Sequence, residues 1–477
     1  MSNKNLLKSI FGYSISSWIN VLFGLLYTVL STRMLDPDVY GSISLFMNSS
    51  ETVMYIICLG LDSSLIRFFN ERPNNESKEI FQTKLILFSF INLFVVLFFV
   101  TIFLNKFEMF MFGRMSWFLT ILLFVSAYTQ LLLRFLNILY RMSFDIKKYT
   151  IQNILIQSST KMLVLVAALY DPKFETIISV QVLGIAVIGI SYIVLQKEIF
   201  TTKVFCKSNM IKNLVAGYTP VIKFALFSAP VYIMSYLNIV VTQNIVRAYL
   251  GVISLGIYSS VAIFGSLFSS TVSRGFSTFW SAYVYKNYKT DNDKIKEMSN
   301  YIVLVGILSM SVFVFLKDLL YVFIGERFQD GIYFFAMILS VNVIDFLSQA
   351  SCYGINIARK NYITAFTNCL YVIANAIGVY IAASIWGLVG VAFSVMIIKS
   401  LYFWINTIIS QKFYESIDGF GKIFLGWLLI LIIASLPALG LDSIYIGLLN
   451  ACLVGASVGI FYKQYKYVFL KLTIKLN

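Results

Sequence analysis

The sequence contains no histidine, and this absence removes several chemistries at once. Without imidazole, the chain cannot build a serine–histidine triad, a histidine-ligated haem or zinc site, or a histidine proton relay. The five cysteines show no CxxC spacing, so neither a disulfide framework nor a metal site is predicted. A GxxxxGK[ST] motif is also absent, which excludes a built-in phosphate-loop ATPase. We therefore expect no metal and no cofactor.

Charged residues are scarce too, at 12% of the chain, against about 25% in soluble proteins. Hydrophobic residues make up 59% of the sequence, and the mean hydropathy is +0.82. Apolar runs of about 20 residues recur throughout, and each is long enough to cross a bilayer as a helix. The sequence predicts an all-α, polytopic membrane protein with about fourteen transmembrane helices. Their predicted extents are 9–31, 40–66, 82–105, 116–139, 150–170, 176–196, 218–246, 252–275, 298–320, 332–356, 362–384, 387–408, 423–440 and 443–463.

The net charge of +15 follows a pattern along the chain. If the N-terminus is cytoplasmic and the helices alternate in direction, most lysines and arginines fall in cytoplasmic segments and few in outer loops. This positive-inside bias predicts cytoplasmic N- and C-termini. It assigns most of the net charge to topology and to attraction for anionic lipid heads, so we expect no nucleic-acid partner.

A long, charged loop after the sixth predicted helix divides the chain. The sequence predicts an N-terminal lobe over 1–200, a cytoplasmic linker over 201–217 and a C-terminal lobe over 218–410. A final helix pair and a cytoplasmic tail take up 411–477. A faint self-match between the two lobes favours parallel repeats.

Polar residues recur at helical spacing on the first two predicted helices of each lobe, where they form one stripe on each helix. Asn48 belongs to the stripe on the second helix and Ser270 to the stripe on the eighth. One interpretation is close helix packing through small and polar residues. The other is a central cavity lined by these four helices. By contrast, the third and thirteenth predicted helices are almost entirely apolar and can face lipid.

Basic residues lie on or at the ends of the same four helices. They are Arg33, Arg67, Lys223, Arg247 and Arg274. Arginine and lysine bind phosphate through charge-assisted hydrogen bonds, and arginine does so with two parallel bonds. This arrangement favours a cationic cavity for an anionic amphiphile. The alternative is that each side chain extends to the membrane surface.

Further charged residues are predicted inside the membrane-spanning segments. They include Glu51, Asp62, Lys161 and Asp345, together with the basic residues Arg134 and Lys399. A charge within the bilayer is costly and tends to be functional. These residues are predicted to form either charge pairs or ion-coupling sites. Because the chain has no histidine, proton coupling would need a carboxylate such as Glu51, Asp62 or Asp345.

Three segments resemble polysaccharide flippases of the multidrug/oligosaccharidyl-lipid/polysaccharide exporter superfamily. Residues 33–46, RMLDPDVYGSISLF, resemble the end of that family's first helix and the start of its second. Residues 59–69, LGLDSSLIRFF, resemble the end of its second helix, and residues 386–392, WGLVGVA, the start of its twelfth. The resemblance covers the whole chain in length, helix count and topology.

The resemblance implies two six-helix lobes in a V-shaped bundle with a central cationic cavity, plus a C-terminal helix pair. It also implies translocation, by alternating access, of an undecaprenyl-pyrophosphate-linked oligosaccharide across a bacterial inner membrane for surface polysaccharide such as O-antigen. Arg33, Arg67, Arg247 and Arg274 would then contact the pyrophosphate. We expect a monomer that is not an enzyme, surrounded by membrane lipids and working beside glycan polymerase or assembly proteins.

Two other functions stay open on the residues alone. An ion-coupled antiporter of drugs or other small molecules could use the same fold, and it would favour an acidic, aromatic cavity. A membrane glycosyltransferase or polymerase would need a catalytic acid or a metal site in a sizeable outer loop. The predicted outer loops are short, which disfavours that third function.

Overall fold

A computed structural model describes residues 3–69, 71–73, 76–143, 145–196, 217–273, 276–277, 280, 283–284, 288–358 and 360–462, with side chains from residue 19 onward. Within these ranges the regular secondary structure is helical. The chain divides into two compact units, Met1–Asn244 and Ile245–Asn477, called unit 1 and unit 2 below. Arg274 is not among the described residues, so its predicted role lies outside them. The same holds for nearly all of the predicted linker over 201–217.

Unit 1 is built from eight complete helices and the first part of a ninth. They are α1 (Asn3–Met34), α2 (Pro37–Cys58), α3 (Leu61–Phe68), α4 (Lys78–Ile102), α5 (Leu104–Phe112), α6 (Trp117–Met142), α7 (Ile146–Tyr170), α8 (Phe174–Gln196) and α9 (Thr219–Phe268). Helix α1 packs on α7, and α2 packs on α6 and α4. Helix α8 packs on both α6 and α7. The polar faces of α2, α6, α7 and α8 are thereby brought together.

Local sequence explains where α2 begins and ends. Asp36 precedes the helix in an extended conformation, Pro37 opens it, and Asp38 lies in its first turn. The Asp-Pro-Asp segment is therefore a helix start, in which proline supplies a helical φ and needs no hydrogen-bond donor. The helix stops at Leu59 and Gly60, which have φ angles of 44° and 74°. Helices α2 and α3 are bent by 57° at this break.

Unit 2 holds the rest of α9, a π-helical turn (Ser269–Ser273) and seven further described helices. These are α10 (Asn292–Phe315), α11 (Lys317–Val322), α12 (Phe335–Ser351), α13 (Tyr353–Ile357), α14 (Asn361–Gln411), α15 (Phe420–Ser435) and α16 (Ser443–Ile460), with 3₁₀ turns at Glu326–Tyr333 and Leu436–Leu439. Helix α12 packs on α10 and α14. The last two helices, α15 and α16, both pack on α10.

The helices match the predicted membrane spans. Among the described residues, nine helices are long and apolar enough to cross a membrane, or eleven when two bent pairs each count as one span. The long helices α9 and α14 break at Gly251 and Gly387, where the backbone is not helical, so each contains two spans. Helix α1 adds one more. The described residues thus contain the predicted fourteen segments, and the all-α polytopic fold is confirmed.

The two almost entirely apolar helices differ in how much of their surface is exposed. Helix α4, the predicted third span, does expose a row of large apolar side chains that includes Phe94 and Phe98. Helix α15, the predicted thirteenth span, exposes only one face. Its other face is buried because Gly426 allows close contact with Val303 of α10. Exposed apolar surface is therefore extensive along the C-terminal half of α4 and is limited to one face of α15.

Candidate functional site

A polar cavity of about 320 Å³ lies inside unit 1, among helices that span the membrane. It is formed by α2, α6, α7 and α8, with Tyr236 of α9 at one side. Its most distinctive feature is a set of six carboxamide side chains. They are Gln130, Asn137, Gln152, Asn153, Gln157 and Gln181. Two charged residues, Glu51 and Arg134, also line it.

An ion pair fixes Arg134 at the cavity wall. Both Nε and Nη2 of Arg134 donate to Oδ2 of Asp62, at 2.8 and 2.7 Å. The other carboxylate oxygen, Oδ1, accepts from the backbone N–H of Ser63 at 2.8 Å. The Asp62 side chain is 1% exposed and that of Arg134 is 34% exposed. Because Asp62 lies in the first turn of α3, the helix dipole also favours its negative charge.

Tyrosines of α2 and α9 form an aromatic wall next to this ion pair. The Tyr55 ring stacks on Tyr236 with a centroid separation of 4.4 Å, and on Tyr232 at 5.8 Å. The guanidinium of Arg134 lies 5.0 Å from the centroid of the Tyr55 ring, within cation–π distance. Acid, base and aromatic wall therefore form one connected cluster.

The carboxamides on α6 and α7 are partly joined to one another and to hydroxyl groups. Gln130 Nε2 donates to Oγ of both Ser50 and Ser126, each at 3.0 Å. Asn137 Nδ2 donates to Asn153 Oδ1 at 3.1 Å. These bonds hold amide groups at fixed positions around the cavity, so the site presents directed donors and acceptors.

Asn48, a predicted binding residue, takes part in a hydrogen-bonded contact between α2 and α9. Its Nδ2 donates to Oε1 of Gln243 at 3.0 Å. Nε2 of the same glutamine donates to Ser44 Oγ at 3.1 Å. Asn48 belongs to the stripe predicted on the second helix, and Ser44 lies on the same face about one turn earlier. In this structure, that part of the stripe joins two helices of unit 1.

The predicted phosphate-binding residues lie elsewhere. Arg33 is exposed at the end of α1, and Lys223 is exposed in the first turns of α9. Arg67 is exposed at the end of α3, where its Nη1 lies 3.0 Å from Glu71 Oε2. Arg247 is half-buried. Among the described residues, none of these four lines the unit 1 cavity.

The remaining predicted residues lie in several separate places. Lys161 is half-buried on α7, and its Nζ donates to the carbonyl oxygen of Asn20 on α1 at 3.0 Å. Ser270 lies in the π-helical turn of unit 2. Asp345 of α12 pairs with Lys399 of α14, with an O···N distance of 2.6 Å. Glu51 lines the unit 1 cavity, whereas Asp62 lies behind Arg134.

The ion pair of unit 2 is also bordered by tyrosines. The Nζ of Lys399 lies 5.2 Å from the ring centroid of Tyr371 and 5.1 Å from that of Tyr402. Each unit therefore contains a carboxylate–cation pair beside aromatic rings.

The carboxamide cluster was missed in the sequence, although a signal was present. Gln130 and Asn137 are seven residues apart in the predicted fourth span, and Gln152 and Asn153 lie in the fifth. A spacing of seven places Gln130 and Asn137 on one helical face. The sequence did not show that α6, α7 and α8 pack against one another. This packing brings their three polar faces together around one cavity.

No known family model matches the sequence, and no curated protein is significantly similar to it. Solved structures do match. A lipid II flippase MurJ in an inward closed conformation aligns with a TM-score of 0.69 and 14% identity, over 95% of this chain and 99% of that chain. An inward-facing multidrug resistance transporter of the MATE family aligns with a TM-score of 0.52 and 13% identity, over 82% and 94%.

The MATE multidrug transporter DinF-BH aligns with a TM-score of 0.54 and 14% identity, over 86% of this chain and 96% of that chain. Identities this low establish the fold and nothing more. The chain is a multi-span membrane protein with the fold shared by the lipid II flippase MurJ and the MATE transporters of the MOP superfamily.

Proposed function

We propose that this protein is a flippase that moves an undecaprenyl-pyrophosphate-linked oligosaccharide from the cytoplasmic to the outer leaflet of a bacterial inner membrane by alternating access. The observation that carries the proposal is the polar cavity of unit 1, formed by membrane-spanning helices. A polar cavity within the bilayer is costly to maintain, and it suits a hydrophilic head group that must cross an apolar layer. The similarity of the fold to a lipid II flippase supports the same function.

The anionic part of this substrate would meet the basic residues at the helix ends. Arg33, Arg67 and Lys223 are exposed, and Arg247 is half-buried. Both side chains of the Arg67–Glu71 ion pair are exposed, so the pair is weak. A phosphate group can therefore replace Glu71 as the partner of Arg67. Arg274 and Ser270 complete the proposed set of binding residues. The lipid tail would stay in the bilayer, against exposed apolar side chains such as those of α4.

The positive-inside pattern supports the proposed membrane orientation, with both termini in the cytoplasm. In this proposal the protein is a monomer without catalytic activity or cofactor. It acts beside the polymerase and assembly proteins of a surface polysaccharide such as O-antigen.

A second candidate function is ion-coupled export of small cationic molecules. It is favoured by Glu51, whose carboxylate lines the same cavity as the rings of Tyr55 and Tyr236. A carboxylate and aromatic faces together attract organic cations. In that case Glu51→Gln would abolish accumulation of a lipophilic cation in everted vesicles, whereas a flippase would give no accumulation in the wild-type protein either.

The flippase proposal can be tested with purified protein in liposomes. The substrate is the lipid-linked oligosaccharide that accumulates in a deletion strain, and its analysis also identifies the glycan. A water-soluble enzyme that cleaves the lipid pyrophosphate linkage reports the substrate that reaches the outer leaflet. We expect Arg33→Ala and Arg247→Ala to lower the transport rate by roughly ten- to a hundredfold, because a lost charge-assisted hydrogen bond is worth about 1.5–3 kcal/mol.

Lys106→Ala is the matched control, since Lys106 is an exposed basic residue in a predicted outer loop. It should transport at the wild-type rate. Wild-type rates in both arginine variants would contradict the phosphate-binding role, and a wild-type protein no faster than empty liposomes would contradict the function itself.

A further inference from the structure

The unit 1 cavity has a composition that the predicted phosphate site does not share. Its six carboxamides each offer both donors and an acceptor. The hydroxyl groups of Ser126, Thr129 and Thr160 add to them. Apolar side chains such as Met54 and Leu133 complete the lining. A lining so rich in uncharged hydrogen-bonding groups favours a ligand that is itself uncharged and dense in hydroxyl groups.

The charges at the cavity do not favour a pyrophosphate. The positive charge of Arg134 is already matched by Asp62 through two hydrogen bonds. The other charged residue that lines the cavity, Glu51, is acidic. Moreover, Arg33, Arg67 and Lys223 lie outside this cavity. A pyrophosphate placed here would face a carboxylate with no unmatched cation from the described lining.

Two of the glutamines that line the cavity have a buried side-chain oxygen without a hydrogen-bond donor. Oε1 of Gln152 and Oε1 of Gln181 are buried and make no hydrogen bond to any described group. The two residues are only 2% and 3% exposed, yet both line the cavity. A buried acceptor without a partner costs about 1–3 kcal/mol. Neither oxygen is exposed on the cavity surface, so each needs a small rotation of its side chain to accept a hydrogen bond from a ligand in the cavity.

The aromatic wall completes this arrangement. The stacked pair Tyr55 and Tyr236 presents rings and hydroxyl groups at one side of the cavity. A tyrosine combines an apolar ring with a polar tip, which matches a sugar ring with its apolar C–H face and polar rim. The volume of about 320 Å³ is at the small end of the range for ligand sites, so it fits a short carbohydrate segment.

We propose that the unit 1 cavity is a glycan subsite, which binds neutral sugar units of the transported lipid through its carboxamides and its tyrosine wall, apart from the basic residues that meet the pyrophosphate. This inference rests on the proposed flippase function. It assigns recognition of the glycan to α6, α7 and α8, and recognition of the pyrophosphate to other residues.

The test uses Gln181→Met, which keeps the side-chain length and removes the hydrogen-bonding groups. The matched control is Gln82→Met. Gln82 is also in unit 1, is fully buried and has both side-chain polar atoms without a described partner, but it does not line the cavity. Gln157→Met is a second cavity variant at a more exposed position, where misfolding is less of a risk.

Two lipids are compared in the liposome assay: the lipid-linked oligosaccharide extracted from the deletion strain, and undecaprenyl pyrophosphate, which carries no sugar. We expect both cavity variants to raise the half-saturating concentration of the oligosaccharide lipid by roughly three- to tenfold, the effect of one lost neutral hydrogen bond. Its maximal rate, and the rate for the sugar-free lipid, should match those of Gln82→Met. A purely structural role would lower the rates for both lipids together.

Equal half-saturating concentrations in the cavity variants and in Gln82→Met would overturn the glycan subsite and leave the flippase function standing. Loss of transport of both lipids in folded cavity variants would overturn it as well. A wild-type protein that moves the oligosaccharide lipid no faster than empty liposomes would overturn the flippase function and the subsite together.

Discussion

The buried carboxylate of Asp62 depends on Arg134 for its charge balance. Two hydrogen bonds to one oxygen and a backbone N–H to the other satisfy the carboxylate inside a membrane-spanning unit. Such a pair contributes little net stability when complete, yet removing one partner leaves a costly unpaired charge. At the residue scale, this pair therefore holds the Arg134 guanidinium next to the Tyr55 ring.

We expect Asp62→Ala or Arg134→Ala to lower the free energy of unfolding by about 3 kcal/mol, because each leaves its partner unpaired. The double variant should lose clearly less than the sum of the two single losses. Denaturant unfolding in detergent measures all three. Glu71→Ala, which breaks the exposed pair with Arg67, should cost under about 1 kcal/mol. Additive losses in the double variant would show that the two side chains are not coupled.

The sequence identifies both residues of this pair but not the contact between them. Asp62 and Arg134 each stand out in the sequence as a charged residue within a predicted membrane span. Such charges are costly to bury, so each is expected to have a specific role. The sequence does not identify them as partners, because the pairing depends on the packing of α2 and α3 against α6. Asp345 and Lys399 show the same limit in unit 2, where the contact of α12 with α14 brings them together.

At the scale of helices, the break between α2 and α3 determines how closely α9 can approach. Gly60 has a φ of 74°, and a Cβ at this position would overlap the carbonyl oxygen of Ala225 on α9. Glycine is needed here for two independent reasons, the left-handed backbone and the close contact. The break also places Asp62 at the start of α3, facing Arg134.

Gly60→Ala should therefore lower the free energy of unfolding by at least about 2 kcal/mol, from backbone strain and from overlap with α9. Gly440→Ala is the control, because Gly440 also has a positive φ, 64°, but a Cβ there meets nothing within 4 Å. It should cost only the backbone strain, about 1 kcal/mol. Unfolding in detergent compares the two variants, and equal losses would mean that the helix contact at Gly60 is not tight.

The bounds of the helices were far easier to predict than which face of each helix contacts its neighbours. The bilayer sets a minimum length for each apolar run, so the gap predicted near residue 251 and the boundary predicted at 387 coincide with the glycine breaks of α9 and α14. The polar cavity was harder to predict, because glutamines and asparagines in membrane helices are equally typical of ordinary helix–helix contacts. Only the folded arrangement shows that Gln152 and Gln181 share one cavity.

On the scale of the whole molecule, each unit contains an ion pair within its predicted membrane spans. In unit 1 the pair is Asp62 and Arg134, and in unit 2 it is Asp345 and Lys399. Of the net charge of +15, these pairs contribute nothing. The excess positive charge belongs instead to residues at helix ends and in loops, where it is free to set the orientation of the chain in the membrane.

This distribution predicts opposite sides for two exposed lysines. Lys106, after α4, should face outward, and Lys289, before α10, should face the cytoplasm. In a background with the five native cysteines replaced by serine, a membrane-impermeant maleimide added to intact cells should label Lys106→Cys and not Lys289→Cys. After permeabilisation both should react, which controls for accessibility. The reverse pattern would invert the topology and place the basic segments outside, and labelling of both in intact cells would contradict the predicted helix count between them.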